Sequence, residues 1–109
     1  MTAGDSLEQM LDNAEEALSK GAPEVALELC EVVLSSHSEH AGAWYIKGEA
    51  LRAINALDDS ADAYRRAALI RPDHSPSWAS LALACYEILD MEEAWRALNR
   101  ALREDNDNP

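Results

Sequence analysis

Phenylalanine is absent from this chain of 109 residues, and three Trp and three Tyr are its only aromatics. The apolar set is mainly Ala and Leu. That favours closely packed helices over a β-sandwich, which draws on Val, Ile and aromatic residues. Basic residues are also scarce: nine Lys and Arg stand against 21 Asp and Glu, for a formal charge of −12. Nucleic acid and anionic membrane surfaces are bound through Lys and Arg, so neither is expected as a partner. A basic partner, or simple solubility, fits the charge better. No apolar run approaches the roughly 20 residues needed to span a bilayer. The N-terminus, MTAGDSLEQM, lacks the basic and apolar regions of a targeting signal. No Pro-, Gly- or Ser-rich stretch marks a linker, so a single domain over 1–109 is expected. The two cysteines, Cys30 and Cys85, fall on predicted core positions of different segments. They read as reduced residues of a cytoplasmic protein, with a disulfide as the less favoured alternative.

What the chain does have is a period. Trp44 to Trp78 is 78 − 44 = 34 residues, and Ser60 to Ala94 and Ala67 to Ala101 are also 34. By the same step Gly48 maps onto Ala14 and Ala82, and Tyr64 onto Cys30. A fixed period of this length marks a repeat protein built from helix–turn–helix units. The central unit, AGAWYIKGEALRAINALDDSADAYRRAALIRPDH, carries Trp44, Gly48, Tyr64, Ala67 and Pro72 at the recurring offsets.

Local signals place six helices. Ser6 with Gln9 forms a capping box ahead of a stripe through Leu7, Met10, Leu11, Ala14, Ala17 and Leu18. Gly21 ends that helix and Pro23 opens the next, with Val25, Ala26, Leu29, Cys30, Val33 and Leu34 as its stripe. A third helix is predicted from about Gly42 to Ile54, ending at Asn55, which tolerates the left-handed conformation. A fourth runs from about Leu57 to Ile70, ahead of Pro72. Ser75-Pro76 opens the fifth, which reaches about Ile88. Asp90 with Glu93 is a second capping box, for a helix to about Arg103. A polar tail follows over 104–109. Small residues at Ala14, Gly48, Ala82, Ala26, Ser60 and Ala94 let paired helices approach. Larger ones at Met10, Trp44, Trp78, Cys30, Tyr64 and Leu98 fill the space between neighbours. One helix pair cannot bury its own apolar face, whereas three stacked pairs bury a continuous core.

The spacing and residue types resemble the tetratricopeptide repeat, in three units over 7–40, 41–74 and 75–108. The resemblance implies an all-α solenoid of six antiparallel helices in a right-handed superhelix. It also implies a concave groove lined by the first helix of each unit. Carried over, the groove residues are Glu8, Leu11, Glu15 and Leu18, then Tyr45, Glu49 and Arg52, then Ala79, Leu83 and Tyr86. This mixed apolar and acidic surface suits an extended or helical peptide of a protein partner that is basic or amphipathic. Members that hold the terminal carboxylate of heat-shock proteins use Lys, Asn and Arg. The matching positions here are Leu11, Glu15, Ile46, Pro76 and Ser80, so that clamp is not expected.

No catalytic constellation is found, and no cofactor is implied. His37 and His40 lie in a turn without Cys or carboxylates at ligand spacing, so no metal site is assigned. His40 and His74 share one repeat position, which points to a structural role in the turn. Glu15-Glu16, Asp58-Asp59 and Glu92-Glu93 read as solvated helix faces or first turns. Trp44 and Trp78 read as core. Trp95 differs: it shares a stripe with Leu98 and Leu102, with Leu98 turned into its own unit and Trp95 and Leu102 towards where a further helix would stack. An exposed Trp–Leu patch marks a contact surface, and a homodimer through the last helix is the simplest assembly that covers it. The leading expectation is a non-catalytic protein–protein interaction module, an adaptor or scaffold. The alternatives are a self-assembly module, or the N-terminal regulatory domain of a longer, enzymatic chain.

Overall fold

Three turns of one design fold the chain into helix pairs. The computed structural model describes residues 3–107, which form α1 (Ala3–Ser19), α2 (Pro23–Ser36), α3 (Ala41–Ala53), α4 (Leu57–Ile70), α5 (Ser75–Glu87) and α6 (Met91–Asp107). At the end of α1, α3 and α5 one residue adopts positive φ: Gly21 (78°), Asn55 (65°) and Leu89 (67°). In each turn that residue donates its N–H to a carbonyl three residues back, as in Asn55 to Arg52 (3.0 Å). The following N–H reaches five residues back, as in Ala56 to Leu51 (2.8 Å). This pair of bonds is the Schellman closure of a helix C-terminus. Asn55 was expected in this conformation. Leu89 was not, because an L-residue with a bulky side chain is strained there.

The helix starts differ from expectation at several points. α1 begins at Ala3, so Ser6 lies inside the helix and is not its cap. His40 is the N-cap of α3, its Nδ1 accepting from the Ala43 N–H at 3.1 Å. His74 holds the equivalent place before α5, where Nδ1 meets Ser77 Oγ at 2.7 Å, and Ser75 is the first helical residue. The structural reading of these two histidines therefore stands. Asp90 accepts from the Glu93 N–H at 3.2 Å, which is half of a capping box. The return half is missing because the Glu93 carboxylate is engaged by Arg65. Residues 104–107, expected as tail, continue α6.

Consecutive helices pack in sequence, and α1 also touches α3. The small positions do what their size allows. A Cβ added at Gly48 would stand 2.7 Å from Tyr64 Cδ1, so only glycine lets α3 lie against that ring. The buried Ser60 hydroxyl donates to the Gly48 carbonyl at 2.8 Å across the same contact. Ala14, Ala26 and Cys30 pack with Val33 and Ile46 in one core cluster, and Tyr64 with Leu81, Ala84 and Cys85 in another. Both thiols are free and buried, and burial is the main cause that raises each to about 12.

Ion pairs join neighbouring units. Arg65 reaches from α4 to grip Glu93 of α6 with two hydrogen bonds of 2.7 and 2.5 Å, and Arg52 of α3 grips Glu87 of α5 at 2.9 and 3.2 Å. Lys47 reaches Glu31 of α2 at 2.7 Å.

Two expectations about the core need correction. Trp44 and Trp78 are half-buried, not core: their indole N–H groups donate to the Ser38 and Pro72 carbonyls, both at 2.8 Å. Lys47 and Arg66 lie over the Trp44 ring and Arg100 over that of Trp78, so each indole serves as a wedge with one wet face. Val25 is also exposed, because no described residue packs on the outer side of α2 there.

Candidate partner-binding surfaces

The first helices of the units expose their inner faces on one side, and there a hollow of about 580 Å³ opens. Of the residues expected in the groove, it is lined by Glu15 and Leu18 of α1 and by Tyr45 and Glu49 of α3. Arg71 and His74 of the following turn and Pro76 of α5 complete it. Tyr45 anchors the wall. Its ring meets Tyr64 edge-on at 5.5 Å and His74 edge-on at 5.6 Å, and its hydroxyl is 3.3 Å from Ser80 Oγ. Burial pushes the Tyr45 phenol up, against the opposing pull of the Ser80 hydrogen bond, so it is a neutral donor and acceptor at physiological pH. Among the described residues neither Glu15 nor Glu49 forms an ion pair, although most of the bases do. Two carboxylates thus face the hollow without an ion pair, with Arg71 as the one Lys or Arg among its described lining residues.

The other expected groove residues lie elsewhere. Leu11 is buried in the first core cluster, because its position on α1 turns towards α2 and not towards the open side. Glu8 is exposed but outside the hollow. Arg52 sits in a smaller recess with Glu49, Tyr64 and Glu87, its guanidinium already taken by Glu87. That hydrogen bond also holds the Glu87 carboxyl below the usual carboxylate range.

Ala79, Leu83 and Tyr86 belong to a second, more apolar hollow of about 620 Å³ at the end of the array. There they join Met91, Ala94, Trp95 and Leu98 of α6. Trp95 is 64% exposed and Leu102, further along the same face, 52%. Leu98 was expected inside its own unit. It is instead exposed beside Trp95, since the α6 positions that face α5 are Ala94, Ala97 and Ala101. Among the described residues no group of three His, Cys, Asp or Glu is placed to hold a metal ion. No described helix is long and apolar enough to cross a membrane.

Stacked helix pairs, Schellman turns at a fixed period and an open inner face define a helical-repeat scaffold. The chain belongs to the tetratricopeptide repeat family, whose pattern matches residues 11–76, more than half of its length. Among curated proteins none matches the sequence. Solved structures are similar in fold. The second repeat domain of Spaghetti (RPAP3), bound to the HSP90 peptide SRMEEVD, superposes with a TM-score of 0.83 at 17% identity, covering 88% of this chain and 89% of that one. The translocator chaperone SycD of Yersinia enterocolitica type III secretion gives 0.88 at 18%, covering 96% and 80%. MamA of Desulfovibrio magneticus RS-1 gives 0.87 at 16%, covering 97% of this chain. The chain spans 60% of that MamA chain, less than two thirds of its length.

Proposed function

We propose that this chain is a non-catalytic adaptor or scaffold of the cytoplasm, which binds a basic or amphipathic peptide of a partner protein in its concave hollow. The observation that carries the reading is the hollow itself: an apolar wall at Leu18 and Tyr45 flanked by Glu15 and Glu49, which have no ion pair of their own. An apolar side chain fits the wall, and a Lys or Arg of the same peptide neutralises the carboxylates. The peptide bound by Spaghetti is an instance of a similar fold taking a short peptide. That peptide is acidic, and here Glu15 stands where a carboxylate would need a cation. We therefore place this chain outside the heat-shock carboxylate type.

A fluorescein-labelled peptide alternating Leu and Lys tests the reading by anisotropy. It should bind, weaken steadily with added salt, and lose affinity in Glu15→Lys and Glu49→Lys. SRMEEVD should not compete. Affinity that survives both reversals would place binding outside the hollow.

A further inference from the structure

We propose that the exposed face of α6 pairs with the same face of a second copy, antiparallel about a two-fold axis that passes between Trp95 and Leu98. This goes beyond the peptide-binding reading and does not depend on it.

The large apolar residues of α6 left exposed are Met91, Trp95, Leu98 and Leu102. Their spacings of four, three and four are those of a helix–helix seam. The series is the same read in either direction. Reversed against itself, it sets Met91 on the partner's Leu102 and Trp95 on the partner's Leu98, with no residue left over. Such self-complementarity is what an isologous two-fold contact requires. Leu83 and Tyr86 of α5 flank the seam on one side and extend the contact.

Amount and cost point the same way. Leu83, Tyr86, Leu89, Met91, Trp95, Leu98 and Leu102 each expose more than a third of their surface. At roughly 150–250 Å² for a large side chain, they supply on the order of 600–900 Å², close to the ~800 Å² each partner gives a standard interface. Leu89 is 76% exposed and holds positive φ where the other two turns have Gly and Asn. An apolar residue kept in a strained conformation and in water loses on both counts in a monomer; beside a partner surface it regains the burial.

The charge pattern disfavours the head-to-tail alternative. Residues 1–40 hold nine acids and one base, so the apolar face would meet a strongly acidic end. That contact would also leave an open chain of copies. In the two-fold arrangement Arg103, which has no ion pair among the described residues, comes beside the acidic first turn of the partner's α6, where Glu92 lies paired with Arg96 of its own helix.

Sedimentation equilibrium tests the pairing. The wild type should run at twice the chain mass, and Trp95→Glu should weaken association roughly 30-fold or more, as expected for a central Trp anchor. A wild type that stays monomeric at high concentration overturns the proposal, and so does a Trp95→Glu chain that still dimerises. The register has its own test, which does not rely on that variant. Met91→Cys mixed with Leu102→Cys should form a disulfide-linked dimer on mild oxidation. Met91→Cys alone should not, because its two copies would lie about 16 Å apart. The reverse result would show a parallel pairing and overturn the model of the face.

Discussion

The two ends of this array solve the same problem differently. At the N-terminal end, α1 buries or half-buries Leu7, Met10, Leu11, Ala14, Ala17 and Leu18 and exposes polar residues such as Glu8, Gln9, Asp12, Glu15 and Glu16. Among the described residues, the large apolar ones that this pair leaves exposed are Val25 and Val32, among Glu24, Glu28 and Glu31. At the C-terminal end, α5, its turn and α6 leave seven large apolar residues exposed, one of them a Trp. A repeat must bury one face against its neighbour, and among the described residues the first and last units have a face with no neighbour. A polar face can stay in water. An apolar one of this size marks a contact. The ends thus differ in kind, and the same period that builds the core predicts which residues do so.

The two core clusters meet where α3 packs on α4, and Gly48 is the place to break that junction. Gly48→Val forces a branched side chain into the Tyr64 ring, which cannot retreat because Tyr45 stands edge-on against it. The expected loss is about 2–3 kcal/mol. It should appear as a single cooperative transition at lower temperature. Two separate transitions would show that the ends fold as independent units.

Leu89 sharpens the contrast, because its two counterparts serve as controls. Leu89→Asn restores the residue that the middle turn uses, and should raise stability by about 1 kcal/mol by removing the left-handed strain. In a chain of this size that is a rise in melting temperature of roughly 4–8 °C. It should also weaken self-association. Asn55→Leu should cost a similar amount. At concentrations where the chain is monomeric, a destabilised Leu89→Asn would show that the leucine already packs within its own chain.

Glu93 ties the C-terminal unit to the one before it, and acid should release it. Hydrogen bonds from Arg65 hold its carboxyl below the usual range. The folded state therefore binds that proton more weakly than the unfolded chain does. The stabilisation is present above the unfolded value of about 4.3 and fades as pH falls through the lower folded value. Glu93→Gln should thus lose up to about 1 kcal/mol at neutral pH, since the pair is partly exposed. The gap in urea midpoint between the two proteins should close below about pH 4. A gap that persists in acid would assign the loss to packing.

Much of the fold was legible because turns and small residues have few substitutes. Gly21 and Asn55 announce left-handed turns, and Gly48 announces a close approach. Leu89 was missed because leucine carries no such signal, yet 55 + 34 = 89 points to it. The candidate site was legible in part. Glu15, Leu18, Tyr45 and Glu49 line one hollow, as α1 and α3 are neighbours that both expose an inner face. Ala79, Leu83 and Tyr86 do not join it, because no seventh helix among the described residues stands beyond α5 to fold them inward. His74 was read as a turn residue only, and Arg71 was not singled out. The turn hangs over the hollow, which the period alone does not reveal.

The smallest expected effect is the mirror of the C-terminal test. Val25→Lys and Val32→Lys place cations on the exposed face of α2, where Glu24, Glu28 and Glu31 already lie. Neither valine is covered, so little burial is lost, and the new charges relieve the repulsion of an acidic end. Stability should change by no more than about 0.5 kcal/mol, and sedimentation should match the wild type. A loss of self-association in the Val32→Lys chain would mean that the acidic end is itself an interface. The asymmetry between the ends would then be one of strength, with two contacts per chain and open arrays in place of closed pairs.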